Sequence, residues 1–546
     1  MHIVHASSIR ILELNVPRLL PLTAALVFSL GFITSSQAQN SSLPDMGSSA
    51  AELLNPEQEA EYGAYTLYQL RNYGYVLDDP LLDAWLQGMG HRLGASSDRP
   101  EQPFTFFLLK ERQINAFATF GGYIGVNAGL ILTAQAEDEV AGVLAHEISH
   151  VTQRHILRSA ERSQKDQLPI LLGMLAVVVA AQQSSSNSAD DATQAAIIGS
   201  QALIAQRQIN FTRSNEAEAD RIGIQTLYRS QYRAGAMADF FERMAAASRG
   251  NSGGYQAPDY LRSHPVTTTR ISEARDRAAR IDKEAKPVAT SSNSQINPLI
   301  PSQFNLQAEN GVSPPLRQFE WARERLRTLT AASPQIGVNE FKGMTTGISA
   351  QKLTDPQNYG YALALMQSGS PGVAEGILEQ LKDKYPDNLW VELAYAENAH
   401  YAKNPVQSRQ RFEALLKKYP QHVAISLTYA RTLGEIGNAD AGRRAQTVLR
   451  PLLAESAEDP VFQKSFGRAS ELAGDINRAI EAYAEVAYLN GRPEDALKQL
   501  DGLLKKENLD YVQRARVEAR MAAMTPEVLE MRRQGVKPSQ QPPDRS

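Results

Sequence analysis

The stretch Ala145-His146-Glu147-Ile148-Ser149-His150 constrains this chain more than any other, because its chemistry works only on a helical backbone. On a helix, residues four apart share a face, so both imidazoles reach one cation. Glu147, beside the first histidine, is left to meet a water at that ion. Apolar Val140, Val143 and Leu144 come just before the motif. The acids Glu137-Asp138-Glu139 stand where a helix start favours negative charge. A buried helix from about Gln135 through Val151 is therefore predicted.

Two histidines do not complete a catalytic zinc site, which takes three protein ligands and leaves a position for water. The best further stretch is Asn215-Glu216-Ala217-Glu218-Ala219-Asp220. Read as a helix, it puts Glu216 and Asp220 one turn apart on one face, with Glu218 nearly opposite. One carboxylate can then bind metal while the other hydrogen-bonds a ligand histidine and fixes its tautomer; spacing leaves open which does which. The chain has no cysteine, which removes thiolate ligands, a cysteine nucleophile and a lipid anchor at a cleavage point. His264, before Pro265, is a candidate to approach the metal and gate it, or else a turn histidine. His91, His155, His400 and His422 read as surface or packing residues.

Around this centre the pattern is mixed. Apolar residues recur at helical spacing from Pro56 to Leu93, with a turn at Asp79-Pro80, which predicts two helices. Pro103 to Lys110 and Tyr123 to Leu132 are strand-like, with Gly121-Gly122 turning the chain before the second. That second strand suits either a sheet edge, where an extended substrate adds by backbone pairing, or a sheet interior. Leu168 to Ala181 is apolar, uncharged and too short to cross a bilayer, so a buried helix or a membrane-touching flap is expected. A polar loop, Gln182 to Thr193, follows.

The second half is nearly all helical signal after a Pro-, Ser- and Asn-rich connection, Lys286 to Phe304. Tyr385-Pro386 and Tyr419-Pro420 lie 34 residues apart, each closing a basic, leucine-containing helix (Ile377 to Lys384 and Phe412 to Lys418). That period is the one of tetratricopeptide repeats, whose helix pairs stack into a solenoid. The next interval, Pro420 to Pro460, is 40, and the Trp and Gly landmarks are mostly missing, so a non-repeating bundle is the alternative.

At the amino end, Arg10 and Arg18 precede an apolar run from Leu19 to Phe32. Ser36 and Ala38 then form a small-residue cleavage pattern, so export with cleavage after Ala38 is expected; an uncleaved anchor is the other reading. A formal charge of -4 with 21 % charged residues offers no basic face, which sets nucleic-acid partners aside.

Asn115-Ala116-Phe117-Ala118, Gly121-Gly122, Gly129-Leu130, the histidine motif, Arg213, Glu216 and Ala219-Asp220 together resemble the HtpX-like and CAAX-prenyl-protease-like zinc metallopeptidases, over roughly residues 55 to 280. One departure is Thr119-Phe120, where many members have a proline before the paired glycines. The resemblance implies one Zn2+ per chain held by His146, His150 and Glu216, with Glu147 as general base and Asp220 supporting a ligand. It implies a mainly α chain with an α+β zincin-like metallopeptidase domain carrying a small sheet over 55–283. A signal peptide (1–38) precedes it; a linker (284–314) and an α-helical tetratricopeptide-like solenoid (315–535) follow. Leader, soluble peptidase and repeats in that order resemble envelope proteases of outer-membrane quality control. This implies a periplasmic endopeptidase acting on misfolded or stalled outer-membrane proteins, in contact with the beta-barrel assembly complex through its repeats, with peripheral membrane contact. The alternative is a chaperone-like adaptor in which the repeats do the main work. A scaffold with a structural zinc is disfavoured, since such sites usually take four protein ligands.

Overall fold

Prolines and side-chain caps punctuate the chain into short helices. The computed structural model describes residues 54–163, 210–250, 259–284, 318–346, 350–490, 492–506 and 509–533. The leader over 1–38, the apolar run Leu168 to Ala181, the polar loop Gln182 to Thr193 and the connection Lys286 to Phe304 lie outside these residues.

Asn55 caps α1 (Pro56–Asn72) in a reciprocal box with Gln58, and Asp79 caps α2 (Pro80–Ala95) by accepting from the Leu82 amide. Three short strands follow: β1 (Thr105–Leu109), β2 (Ala116–Ala118) and β3 (Tyr123–Asn127). Their order is β1-β3-β2, with β3 parallel to β1 and antiparallel to β2. The expected strand Tyr123 to Leu132 is therefore interior rather than an edge, and it stops at Asn127, where α3 (Ala128–Thr133) begins. Gly129 allows that switch: a Cβ there would stand 2.1 Å from the Arg112 carbonyl oxygen. The edge beside the histidine helix is β2, too short to be read from periodicity. Between β2 and β3, Gly121 and Gly122 take φ of 66° and 84°, a left-handed turn wedged against Ala60 and Pro103 where any side chain would clash.

Helix α4 (Glu137–Thr152) carries the motif and is buried over almost its whole length. A turn at Gln153 and Arg154 leads into α5 (residues 155–163); α6 (residues 210–229) carries Glu216 and Asp220. Three helices, α7 (Ala236–Gly250), α8 (Asp259–Ser263) and α9 (Thr268–Glu284), complete this part.

The second half is a run of short helices in which neighbours along the chain pack on one another: α10 (Gln318–Leu329), α11 (Pro334–Met344), α12 (Asp355–Gln367), α13 (Pro371–Lys384), α14 (Leu389–Tyr401), α15 (Pro405–Lys418), α16 (Val423–Ile436), α17 (Ala439–Leu449), α18 (Pro460–Ala473), α19 (Ile476–Leu489), α20 (Pro493–Leu504) and α21 (Tyr511–Arg533). The 34-residue period is visible in the backbone. Tyr385 (φ -130°, ψ 69°) and Tyr419 (φ -126°, ψ 77°) end α13 and α15 alike, each amide donating to a leucine carbonyl four residues back. The proline after each tyrosine forces this, since it excludes the helical conformation from the residue before it. The longer interval to Pro460 has two sources: a 3-10 turn, Arg450–Leu452, is inserted before α18, and Pro460 is the first residue of its helix whereas Pro420 precedes α16.

One continuous apolar cluster runs from Leu77 to Ala482, so the array and the first half share a core. The Trp85 and Phe319 ring centroids are 6.3 Å apart across that junction. Beside them Arg325, 3 % exposed, donates to both oxygens of Asp79 at 2.9 and 2.8 Å and to Glu397 at 3.3 Å. Burial raises the Asp79 pKa, but the Arg325 guanidinium outweighs it and holds the carboxyl below its ordinary value. This stabilisation is therefore complete above the unfolded pKa near 3.8 and is lost only as pH falls through the lower folded value. Asp79→Asn keeps the cap on α2 and removes the charge. It is expected to cost about 3 kcal/mol at pH 7, read by denaturant unfolding, with the deficit shrinking in strong acid.

Candidate metal centre

Burying α4 buries its ionisable groups, and each has been given a partner from a different element. Glu137 accepts from the Trp85 indole and the Tyr232 hydroxyl, both at 3.1 Å, Asp138 from the Arg233 amide at 2.7 Å, and Glu139 from Arg243 at 2.8 Å. The acids predicted to serve the helix dipole thus also anchor α4 to α2 and to the α6–α7 region.

One turn further on, the histidines converge. His146 and His150 face each other through Nε2 atoms 3.0 Å apart. Glu216 on α6 stands 3.4 Å from each of those nitrogens. His264, just after α8, brings Nδ1 to 2.9 Å from Glu216 Oε1 and 3.4 Å from His146 Nε2. One donor atom from each of these four residues lies within 4.8 Å of all the others. Asp220 is 3.0 Å from His146 on the ring's other side, at Nδ1, and is itself gripped by Arg270 through two contacts of 2.8 Å. Arg270 also reaches Glu216 at 2.9 Å. All four residues singled out near the metal in the sequence, and Asp220, therefore meet at one place.

Glu147 points one carboxylate oxygen at the β2 edge, accepting from the Ala118 amide at 3.1 Å. Its other oxygen, Oε1, is buried with no hydrogen-bond partner among the described residues. Burial pushes its pKa up, making it a stronger base than an ordinary carboxylate. His150 is driven down to about 3, chiefly by burial, so its imidazole is neutral. His146, although burial lowers it, is raised to about 9 by Asp220 and Glu216. Glu216 and Asp220 are penalised by burial yet held low, Glu216 by the histidines and Asp220 by Arg270 and His146.

Four participants escaped the sequence reading. Arg270 and Tyr260 sit far along the chain in no recognisable motif. The Tyr260 ring stacks on His264 at 4.7 Å, and its hydroxyl is buried without a partner among the described residues. His155, read as a surface or packing residue, is 2 % exposed, with Nδ1 2.8 Å from His150 Nδ1. Glu218, on the opposite face of α6 from Glu216 as expected, meets His155 Nε2 at 3.2 Å and Arg158 at 3.0 Å.

Comparison with known proteins decides the family. The profile of peptidase family M48 matches residues 80–278. The beta-barrel assembly-enhancing protease of Yersinia pestis is 30 % identical over 485 residues, 88 % of this chain and 90 % of that protein. The chain belongs to the beta-barrel assembly-enhancing protease family. A putative member from Vibrio cholerae is 44 % identical over 236 residues, and the match spans 47 % of its length and 43 % of this chain. A mitochondrial metalloendopeptidase of Saccharomyces cerevisiae is 30 % identical over 158 residues, 29 % of this chain and 41 % of that protein. This family member is accordingly a metalloendopeptidase with protein substrates.

Because Arg270 closes a planar, two-pronged grip on Asp220 in a buried setting, lysine cannot replace it. Arg270→Lys is expected to lose about 2 kcal/mol in the metal-free protein, measured by chemical denaturation.

Proposed function

We propose that this chain is a periplasmic zinc endopeptidase in which His146, His150 and Glu216 hold one Zn2+ and Glu147 is the general base. The donor set fits zinc: two imidazoles and a carboxylate, buried, with no thiolate in the chain. The single observation that carries the reading is the convergence of those three side chains beside a carboxylate with one oxygen that makes no hydrogen bond among the described residues. When bound, the metal supplies an acidified water and polarises the scissile carbonyl. The chain's own part is proton handling and alignment. Glu147 Oε1 takes the proton from the attacking water and delivers it to the departing amine nitrogen. Asp220, set by Arg270, keeps the His146 proton on Nδ1 and its Nε2 free to ligate. The β2 edge pins Glu147 through Ala118, so a substrate strand adding to β2 would lie beside the base.

His264 is proposed as a fourth donor that closes the resting centre. Catalytic zinc keeps one position open, and a fourth side chain at that position competes with water. Withdrawal of the segment around Pro265 would open it. His264→Ala is expected to raise casein cleavage while zinc content stays at one per chain, read by metal analysis alongside proteolysis.

The division we propose is a peptidase domain over 55–283, a linker over 284–314 and a repeat domain over 315–535, after removal of a leader near Ala38. No described helix is long and apolar enough to cross a membrane. The relatives' names carry the barrel-assembly assignment. We extend it to this chain as degradation of misassembled outer-membrane proteins, with the array meeting them or the assembly machinery. The array has a cavity of about 810 Å³ lined by apolar Phe466, Leu500 and Val517 and by the paired charges Arg516–Glu481 and Arg520–Glu485, where such a partner could be received.

Glu147→Gln should retain zinc and lose casein cleavage by a factor on the order of 100 to 10000. Glu216→Ala should lose the metal itself. A purified chain that takes up no zinc, or a Glu147→Gln protein that still cleaves, would end the enzymatic reading. Full outer-membrane assembly in cells carrying only Glu147→Gln would favour the adaptor instead.

A further inference from the structure

The centre contains a second support for a ligand histidine. On one side, His146 presents Nε2 inward and leans its Nδ1 on Asp220, which Arg270 fixes. On the other, His150 also presents Nε2 inward, and its Nδ1 lies 2.8 Å from Nδ1 of His155. Two imidazole nitrogens at that distance share one proton: one donates and the other accepts. The outer nitrogen of His155 settles which. Its Nε2 is 3.2 Å from Glu218 Oε2, and a carboxylate oxygen only accepts, so His155 carries its proton on Nε2. Its Nδ1 is then the acceptor, His150 carries its proton on Nδ1, and the His150 Nε2 lone pair points at the cation.

We infer that His155, held by Glu218, which Arg158 in turn fixes, is a positioning residue that sets the tautomer and ring orientation of His150. The inference rests on the metal centre proposed above and deepens it.

The backbone is bent to make this contact. In an unbroken helix a residue five positions on would sit about 140° round the axis from His150, out of reach. Instead Arg154 adopts φ of 53°, a left-handed conformation unusual for a residue with a side chain, and the chain turns His155 back beneath His150. Arg154 is secured there by an ion pair with Glu59 of α1 and by donating to the Leu54 carbonyl at 3.3 Å. Strain of this kind persists only where surrounding contacts over-determine it, and it clusters at functional sites.

The test uses the full mature chain with zinc titrated against a chromophoric chelator, and Co2+ substitution to read ligand geometry by its visible absorption. His155→Leu keeps volume and removes the acceptor; zinc affinity should fall about 10- to 100-fold with a shifted Co2+ spectrum. His155→Gln restores an acceptor towards His150 and a donor towards Glu218, and should recover most of the affinity. His155→Leu with wild-type affinity and spectrum overturns the inference, as does a His155→Gln protein as weak as His155→Leu. Glu218→Ala, on a partly exposed side chain, gives an independent answer if His155→Leu does not fold: weakened zinc binding is expected, and unchanged binding overturns the relay. Wild-type protein that binds no zinc would sink the proposed metal centre rather than this relay.

Discussion

Everything in the first half of the molecule depends on α4 being buried while carrying charge. Placing Glu137, Asp138, Glu139, His146 and Glu147 out of water is tolerable only if each finds a polar or charged partner, and these partners come from several elements. Trp85 draws in α2, Arg233 and Arg243 bring the chain on either side of the α7 start, Asp220 brings α6, and Ala118 brings the sheet. The polar requirements of one helix thus specify which surfaces pack on it. A core of aliphatic residues alone would leave those orientations far less determined.

The same logic separates what could be read from the sequence from what could not. The histidine motif, the Glu216/Asp220 pair and the break at Asp79-Pro80 are local facts, expressed in helical spacing and capping residues, and the structure brings them where spacing said they would go. The 34-residue repeat was legible because Tyr385 and Tyr419 end their helices by the same backbone geometry before proline. The parts that stayed hidden are set by tertiary contact. Three residues of β2 are too few to show alternation, so the sequence left open whether β3 is an edge or interior, and β2 on its flank makes it interior. His155 looked idle because its role depends on a left-handed Arg154, and no pattern in the sequence announces such a conformation in a non-glycine residue. Arg270 and Tyr260 lie 50 and 40 residues beyond Asp220, respectively, and only folding gives them meaning.

Glu218 shows how a correct geometric reading can still miss chemistry. It does point away from the Glu216 face, as helical spacing requires. From there it meets His155 rather than solvent, so three acids spaced two apart on α6 serve three different tasks: Glu216 faces both histidine Nε2 atoms, Asp220 leans on His146, and Glu218 reaches His150 at one remove. A two-residue step turns a helix by about 200°, so alternate residues reach opposite sides of the same pair of imidazoles.

The helical array joins this arrangement through α2. Asp79 caps α2 and receives Arg325 from the array. Six residues on, Trp85 touches Phe319 of the array and donates to Glu137 of α4. The α10 helix is therefore joined to the histidine helix through α2 and two buried polar contacts. Arg112 adds a second tie, from the loop between β1 and β2 to Glu340 and the Arg327 carbonyl, both at 2.6 Å. The buried Asp79–Arg325 pair adds little net stability over an apolar contact, but it is costly to break singly and it fixes register. What these ties confer is a defined placement of the array relative to the β2 edge.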